Sequence, residues 1–275
     1  MAQRTAEISL ADGKTIFCAN RQEVEFLREE MPAYFRHGIA IREGDTVMDV
    51  GANIGLFSLY ASLLSHGKAN ILAFEPITTT FEILQRNIQR HQLHNIKSFP
   101  VGLSRISHTA TFSSYPHCTG WCTMYPDDSA AQRALMKRLA LANSESAPSF
   151  LRWLRWLPRW ICAALLERKI NHAFISHQIT CELKTISQII REEDVKCIDL
   201  LKVDVERSEL DVLLGIVQEH WPLIRQVVME VHDLNGRLAA VVDLLRGQGF
   251  AQIVVEQHPF LRGYETHNLY ALRSA

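Results

Sequence analysis

The segment that decides the fold reads Asp45-Thr46-Val47-Met48-Asp49-Val50-Gly51-Ala52-Asn53-Ile54-Gly55-Leu56-Phe57-Ser58. Residues 46–50 are mostly apolar and β-branched, a pattern that predicts a buried parallel strand. Gly51 and Gly55 flank a turn at which the backbone can approach a ligand closely. Apolar residues then recur at helical spacing up to Leu63. The strand, turn and helix either hold a nucleotide-like group at the carboxyl end of the strand or form a structural turn that binds nothing.

A second apolar segment, Ile71-Leu72-Ala73-Phe74-Glu75-Pro76, ends in an acid and favours the ligand-binding interpretation. Glu75 follows Gly55 by 20 residues, the spacing at which a βαβ unit presents a carboxylate to ribose hydroxyls. The dinucleotide pattern G-x-G-x-x-G is missing because Asn53 stands at its second glycine, and no Gly-Lys-Ser/Thr of a P-loop follows. A ligand with a ribose but no phosphate therefore fits best, and S-adenosylmethionine is the leading candidate.

Length and composition limit the size of the domain and exclude several classes of protein. The chain has 275 residues, of which 47% are hydrophobic, enough for one large α/β domain with an insertion. A formal net charge of -1 argues against a general nucleic-acid binder. None of the six cysteines forms a C-x-x-C pair, so we expect neither a structural zinc site nor a disulfide framework. Without a signal peptide at residues 1–4 or a membrane-spanning apolar run, the sequence predicts a cytoplasmic protein.

Strand and helix patterns alternate along most of the chain. The predicted strands cover a hairpin at Ala6–Phe17, which turns at Ala11-Asp12-Gly13-Lys14, and then 46–50, 71–75, 96–101, 109–114, 197–205, 226–231, 251–256 and 268–272. The predicted helices cover 22–35, interrupted by Pro32, and then 56–65, 79–91, 210–218 and 238–246. This order predicts an α/β, Rossmann-like class I methyltransferase fold: a doubly wound, mostly parallel sheet with an antiparallel C-terminal edge strand and a helical insertion. We expect a single domain over 1–275, with an N-terminal hairpin and helix at 1–44 and a helical lid or insertion at 115–178.

Four motifs in order carry a resemblance to a known family. They are Asp49-Val50-Gly51-Ala52-Asn53-Ile54-Gly55, Phe74-Glu75-Pro76, Leu201-Lys202-Val203-Asp204-Val205-Glu206 and Glu230-Val231-His232-Asp233. Together they resemble the FkbM family of S-adenosylmethionine-dependent O-methyltransferases over roughly residues 20–114 and 180–272. The segment from Glu23 to Ile39 is also similar to members found beside polyketide and nonribosomal peptide machinery. One departure is that the family's usual Asp-Val-Glu-Gly-Ala-Glu is Asp204-Val205-Glu206-Arg207-Ser208-Glu209 here.

The resemblance implies a division of the cofactor site. The implied cofactor residues are Asp49, Gly51, Asn53 and Gly55 at the methionine end, Glu75 and Pro76 at the ribose, and Gly102, Leu103 and Ser104 over the adenine. Asp204 would lie near the sulfonium or the acceptor. The implied activity is O-methylation of a hydroxyl of a polyketide, nonribosomal peptide or sugar-type secondary metabolite. The acceptor would be a small molecule, free or tethered to a carrier protein.

Polar groups at two strand ends are candidates for the catalytic step. One end offers Asp204 and Glu206, and the other offers Glu230, His232 and Asp233. Transfer to a hydroxyl needs alignment of the acceptor and removal of its proton, by a general base or by a metal that acidifies the hydroxyl. If the strands are neighbours, Asp204 and His232 face each other as orienting carboxylate and base, with His232 titrating near neutral pH. The same acids could hold Mg²⁺, but we favour a general base because the acids are few and one partner is histidine.

Structural roles compete with these catalytic ones. Lys202 and Glu230 lie inside apolar strands and could pair with each other. Glu206 and Glu209 could cap the next helix, whose first turn favours acids. His232 could be a structural histidine.

Residues 115–178 are long for a connection inside a compact domain. They contain the aromatic segment Tyr115–Trp121, a predicted helix at 127–142, a polar link at 143–149, and Phe150-Leu151-Arg152-Trp153-Leu154-Arg155-Trp156-Leu157-Pro158-Arg159-Trp160 leading into 161–170. Tryptophans interleaved with arginines suit a lid or packing helix with snorkelling arginines. They also suit a docking surface for an acidic carrier domain, which we rank second. A helix at a membrane surface ranks third.

Two other function classes compete with methyl transfer. One is a nicotinamide-dependent oxidoreductase on a Rossmann-like sheet, against which the incomplete glycine pattern speaks. The other is a non-catalytic partner that binds a carrier domain through the tryptophan segment, against which the intact Asp204 and His232 speak. The sequence does not determine the acceptor or the oligomeric state.

Overall fold

The computed structural model of the chain describes residues 5–9, 13–143 and 156–273. Its central strands are β3 (Thr46–Val50), β4 (Asn70–Phe74), β5 (Ile96–Phe99), β9 (Leu200–Val203), β10 (Gln226–His232), β11 (Phe250–Glu256) and β12 (Thr266–Arg273). They form one sheet in the order β5-β4-β3-β9-β10-β12-β11. β12 runs antiparallel to both of its neighbours, β10 and β11, and the other neighbouring pairs in this sheet are parallel. The predicted class I methyltransferase fold is confirmed, and the antiparallel C-terminal strand lies one position inside the edge, which β11 occupies.

Helices cover both faces of this sheet. One face carries α1 (Arg21–Glu30), α2 (Leu56–Leu64) and α3 (Thr78–Arg90), and the other carries α6 (Ile186–Glu192), α7 (Glu209–Leu214) and α8 (Arg237–Gly247). Successive residues of β3 point to opposite faces, so Val47 packs under the first set while Met48 and Val50 pack under the second. A central parallel strand buried on both faces explains the nearly continuous apolar run at 46–50.

The N-terminal segment forms the predicted hairpin, β1 (Ala6–Ser9) with β2 (Thr15–Cys18), although Ala11 and Asp12 of its turn lie outside the described residues. Asn87 of α3 fixes it to the core: Phe17 N–H donates to Asn87 Oδ1 at 2.7 Å, and Asn87 Nδ2 donates to Phe17 O at 3.0 Å. The helix predicted over 22–35 becomes α1 followed by a 3₁₀ turn at Met31–Phe35, because Pro32 cannot continue the α-helical hydrogen bonds.

A small second sheet consists of β6 (Gly102–Leu103), β7 (His108–Ser114) and β8 (His177–Lys184), in the order β6-β8-β7. The strand predicted over 96–101 ends at Phe99, because the next residues pair with β8 instead of β4. Neither β8 nor α6 was predicted from the sequence. The available signal was the alternation of Ile179, Cys181 and Leu183 with polar residues, which is the pattern of a half-buried strand.

The insertion connects β7 to β8. It contains a 3₁₀ turn at Thr119–Trp121 and two helices packed together, α4 (Ala130–Ala142) and α5 (Arg159–Ala173). α4 begins three residues after the predicted start because Ser129 is its N-cap and accepts from Gln132 N–H. The predicted run at Phe150–Arg155 lies outside the described residues. Within the part that the structure describes, no helix is both long and apolar enough to span a bilayer.

Candidate active site

The turn between β3 and α2 brings the backbone close to the end of β9. Gly51 has a φ of +78°, and a Cβ placed on it would lie 1.8 Å from the carbonyl oxygen of Asp204. Its N–H donates to Phe74 O at 3.1 Å, which ties the turn to the end of β4. Gly55 has a φ of +92°, and its Cβ would meet Leu84 of α3. Both positions therefore require glycine, the first for close approach to β9 and the second for packing.

Lys202 of β9 is a buried charged residue that contacts this turn. Its side chain is 3% exposed, and its Nζ donates to Gly51 O at 2.7 Å and lies 3.1 Å from Asp49 Oδ1 and 3.7 Å from Asp204 Oδ2. Burial opposes the charge on Lys202, but Asp49 and Asp204 outweigh burial and raise the pKa of the ammonium. Its partners are thus two aspartates, and the alternative ion pair with Glu230 is not formed in the described structure.

Glu75 follows β4, and the backbone holds its carboxylate. Its Oε2 accepts from Asn53 N–H at 2.9 Å, and its Oε1 accepts from Ile77 N–H at 2.9 Å. Burial raises the pKa of Glu75 to about 7, although these two N–H groups oppose the shift. A carboxylate has roughly four lone-pair positions, so each oxygen keeps room for one more donor. Two vicinal hydroxyls, such as those of a ribose, could donate to these two positions.

Acidic side chains at the ends of β9 and β10 and on α1 form another wall of this region. Asp204 Oδ2 accepts from the Tyr34 hydroxyl at 2.9 Å. Burial, together with the nearby Asp204, raises the pKa of Glu30 to about 8 and raises the pKa of Glu230 well above its usual range. A cation placed among these groups would favour their ionised forms, so this wall suits a positively charged ligand.

His232, at the end of β10, lies between two other glutamates. Its Nδ1 is 2.8 Å from Glu209 Oε1, and its Nε2 is 3.2 Å from Glu206 Oε2. Burial opposes the charge on His232, but Glu206 and Glu209 outweigh burial and raise the pKa of the imidazole well above its usual range, not near neutral pH as expected. The expected contact with Asp204 is not formed in the described residues, although β9 and β10 are parallel neighbours. The fully buried Glu209, at the start of α7, orients the imidazole instead.

The turn that departs from the family pattern keeps a left-handed backbone. Glu206 and Arg207 have φ values of +47° and +74°. This conformation costs a residue other than glycine about 1–2 kcal/mol. Arg207 compensates with two hydrogen bonds: its N–H donates to Glu209 Oε1 at 2.7 Å, and its Nη1 donates to Tyr125 O at 3.2 Å. Arg207 therefore adopts a left-handed backbone conformation that glycine usually occupies, and its side chain connects the turn to the insertion through a hydrogen bond.

A possible metal-ligand set lies in the same place. Glu206, Glu230 and His232 each present one ligand atom, and the three atoms lie within 4.8 Å of one another. Two carboxylates and an imidazole suit Mn²⁺, Fe²⁺ or Zn²⁺ better than Mg²⁺, which prefers oxygen ligands. The Nδ1 contact with Glu209 leaves Nε2 facing the two carboxylates, as in many metal-binding histidines. The same three groups can equally share a proton.

These groups open into one cavity of about 970 Å³, at the upper end of the range for small-molecule sites. The predicted site residues that line it are Gly51, Asn53, Glu75, Pro76, Gly102, Leu103, Asp204, Glu230 and His232. The predicted cofactor residues that do not line it are Asp49, Gly55 and Ser104. Asp49 is buried against Lys202, and Ser104 N–H donates to Lys184 O at 2.8 Å. These three residues pack or bond behind the residues that line the cavity.

Residues of α1 and of the insertion contact each other and line the cavity, and the part played by α1 was not predicted from the sequence. Glu23 Oε1 lies 3.0 Å from Thr119 Oγ1, which is also 3.0 Å from Asn53 Oδ1. Burial raises the pKa of Glu23. The missed acids Glu23 and Glu30 recur at helical spacing with apolar residues of α1, and the missed Tyr34 lies in the 3₁₀ turn that follows. Acids on the apolar side of a helix were the signal that could have indicated them.

Comparisons with known proteins identify the family. Residues 49–262 match the methyltransferase FkbM domain. The chain is 36% identical over 278 residues to the 31-O-demethyl-FK506 methyltransferase FkbM of Streptomyces tacrolimicus, with 100% of both chains covered. It is 32% identical to Methyltransferase 1 of Beauveria bassiana over 90% of each chain. It is also 32% identical to the AMB antimetabolite synthetase AmbE of Pseudomonas aeruginosa (strain PAO1), over 97% of this chain but only 12% of that protein. The chain therefore belongs to the FkbM methyltransferase family.

Proposed function

We propose that this methyltransferase moves the methyl group of S-adenosylmethionine to a hydroxyl of a secondary metabolite, either free or tethered to a carrier protein. The observation that carries this function is the position of the Glu75 carboxylate and the His232–Glu206 pair on one cavity. A relative named for a 31-O-demethyl substrate supports an oxygen acceptor. A relative that is a long synthetase supports an acceptor carried on a larger assembly.

The described residues fit the cofactor. Glu75 has lone pairs left for two ribose hydroxyls, and the acids at the end of β9 and β10 suit a cationic sulfonium. Gly51 also lines the cavity, so the backbone of the turn is within reach of a ligand there. Bound there, the cofactor would supply a methyl group on an electron-poor sulfur. About 970 Å³ leaves space for an acceptor as well.

Proton removal falls to the His232–Glu206 pair. His232 carries a proton at neutral pH, because Glu206 and Glu209 raise the pKa of its imidazole well above the usual range. The carboxylate next to Nε2 is therefore the group that accepts the hydroxyl proton, while the imidazolium stabilises the charge that develops. Glu209 fixes the ring through Nδ1 at 2.8 Å and stays out of the cavity. We favour this base over a metal at the same groups.

Isothermal titration with S-adenosylmethionine and its demethylated product tests the cofactor. Glu75→Gln should lose about 1.5–3 kcal/mol of binding free energy, because charge-assisted hydrogen bonds to the ribose become neutral ones. This corresponds to roughly a tenfold to hundredfold weaker Kd. Glu82→Gln, an exposed acid on α3, is the matched control and should bind normally. No binding by the wild type at millimolar cofactor, or equal affinity in both variants, would contradict the assignment.

A further inference from the structure

The helices α4 and α5 form one wall of the cavity. Among the residues that line it are Gln132, Leu135 and Met136 from α4 and Leu166, Lys169 and Ile170 from α5. Lys169 and His172 line the cavity and are also exposed, so they mark its opening. An acceptor that enters from this side passes along the outer surface of the two helices.

This outer surface is positively charged. α4 and α5 carry the basic residues Arg133, Lys137, Arg138, Arg159, Arg168 and Lys169 against the single acid Glu167, whereas the whole chain has a net charge of -1. Lys137 pairs with Glu167, while Arg138, Arg159 and Arg168 are exposed and have no acidic partner among the described residues. The charge is therefore available to a negatively charged partner.

Large aromatic side chains lie among these arginines. Trp156 and Trp160 are 78% and 74% exposed, and Leu165 of α5 is also exposed. Trp160 and Arg168 are eight residues apart on α5, two helical turns, and so share one side of the helix. Exposed tryptophan and arginine are the residue types that dominate binding energy at protein interfaces.

The distribution of apolar residues on α5 favours a protein partner over a bilayer. A helix that lies in a membrane surface segregates its apolar residues onto one face. In α5 the apolar residues Cys162 and Leu166 are buried against α4, and the exposed Leu165 is followed by Glu167 and Arg168. The exposed side is therefore mixed and polar, as the rim of a protein interface is.

We propose, on the basis of the methyl-transfer function above, that the α4–α5 surface docks an acidic carrier domain that delivers its tethered acceptor through the opening beside Lys169. Charge complementarity favours this partner, because Arg138, Arg159 and Arg168 are exposed without an acidic partner among the described residues, and two exposed tryptophans lie on the same pair of helices or just before it. The arrangement places the dock on the insertion and the chemistry on the sheet. Substrate delivery and cofactor binding can thus be separated by mutation.

Binding of a purified holo acyl carrier protein at low salt tests this surface. Arg159→Glu with Arg168→Glu should weaken carrier binding by roughly tenfold or more, because attraction at two positions becomes repulsion. Glutamate is compatible with the first turn of α5 at position 159, and position 168 is exposed, so the double variant should fold. Arg42→Glu with Arg191→Glu makes the same charge change at exposed positions elsewhere and should bind the carrier as wild type does. Trp160→Ser should also weaken carrier binding.

S-adenosylmethionine affinity, measured in every variant, separates the two proposals. Lost carrier binding with normal cofactor affinity in the α5 double variant supports the dock. Equal carrier binding by both double variants, or none by the wild type at about 1 mM carrier, overturns it. Binding to anionic phospholipid vesicles but not to the carrier would make the surface a membrane contact and also overturn the dock. Failure of the wild type to bind the cofactor would refute the methyl-transfer function instead.

Discussion

Lys202→Met should destabilise the fold strongly. The substitution keeps an apolar stem in β9 and removes an ammonium that is 3% exposed and lies 3.1 Å from Asp49 Oδ1. Asp49 is fully buried, and within the part of the chain that the structure describes its carboxylate would keep just the hydrogen bond from Ser58 Oγ, at 2.6 Å. Breaking a buried pair on one side costs about 3–5 kcal/mol, since the remaining charge is left without a partner. The Gly51 carbonyl also loses its donor at 2.7 Å, so the turn should loosen.

Equilibrium urea unfolding, followed by circular dichroism and tryptophan fluorescence, measures this free energy. The control is Lys196→Met, whose lysine is 77% exposed and pairs only with the exposed Asp194, and it should change stability by less than about 0.5 kcal/mol. Adding Asp49→Asn to Lys202→Met should restore at least about 1 kcal/mol, because a neutral amide replaces the unpaired carboxylate. A loss below about 1 kcal/mol in Lys202→Met, or further destabilisation in the double variant, would refute the ion-pair reasoning.

Four further outcomes follow from the site. Gly51→Ala should lower stability by about 2 kcal/mol or more in the same unfolding assay, since its φ is +78° and its Cβ would lie 1.8 Å from Asp204 O; a smaller loss would show that the turn is adaptable. Glu209→Gln removes a carboxylate that raises the pKa of His232, so the imidazolium deprotonates earlier and the alkaline limb of the pH–rate profile should move to lower pH; an unmoved limb would exclude Glu209 as the positioning residue. Burial and the nearby Asp204 raise the pKa of Glu30 to about 8, and a bound cation favours its ionised form, so cofactor affinity should rise with pH up to about 8. Glu30→Gln should flatten this pH dependence of the affinity measured by calorimetry. Dialysis against EDTA should leave the methylation rate within about twofold, and loss of activity that Mn²⁺ or Mg²⁺ restores would assign Glu206, Glu230 and His232 to a metal instead.

Patterns within single elements were predictable from the sequence. The strand at Thr46–Val50, the two glycines after it and the acid that ends the next strand depend on local periodicity and backbone freedom, which a short segment carries by itself. The same holds for the end of α1 before Pro32. The strand β8 also had a local signal, and it was missed because its polar residues resemble the surrounding insertion.

Local patterns do not predict which charged side chains contact each other. Lys202 lies directly opposite Asp49 in the β3–β9 register, and this register depends on how two strands far apart in the chain are packed. Likewise, Glu209 reaches His232 only because α7 folds back over the end of β10.

The sequence by itself determined the strands of the sheet, the glycine turn and the acid that follows β4, because local spacing and conformational freedom are properties of the chain. Only the tertiary structure decided which acidic side chains pair with which basic ones: Asp49 and Asp204 pair with Lys202, and Glu206 and Glu209 pair with His232. It also brought Glu23 and Glu30 of α1 to the cavity. The physical reason is that burial and charge pairing act through distances in space, and the distance between two side chains depends on strand register and helix packing rather than on their separation in sequence.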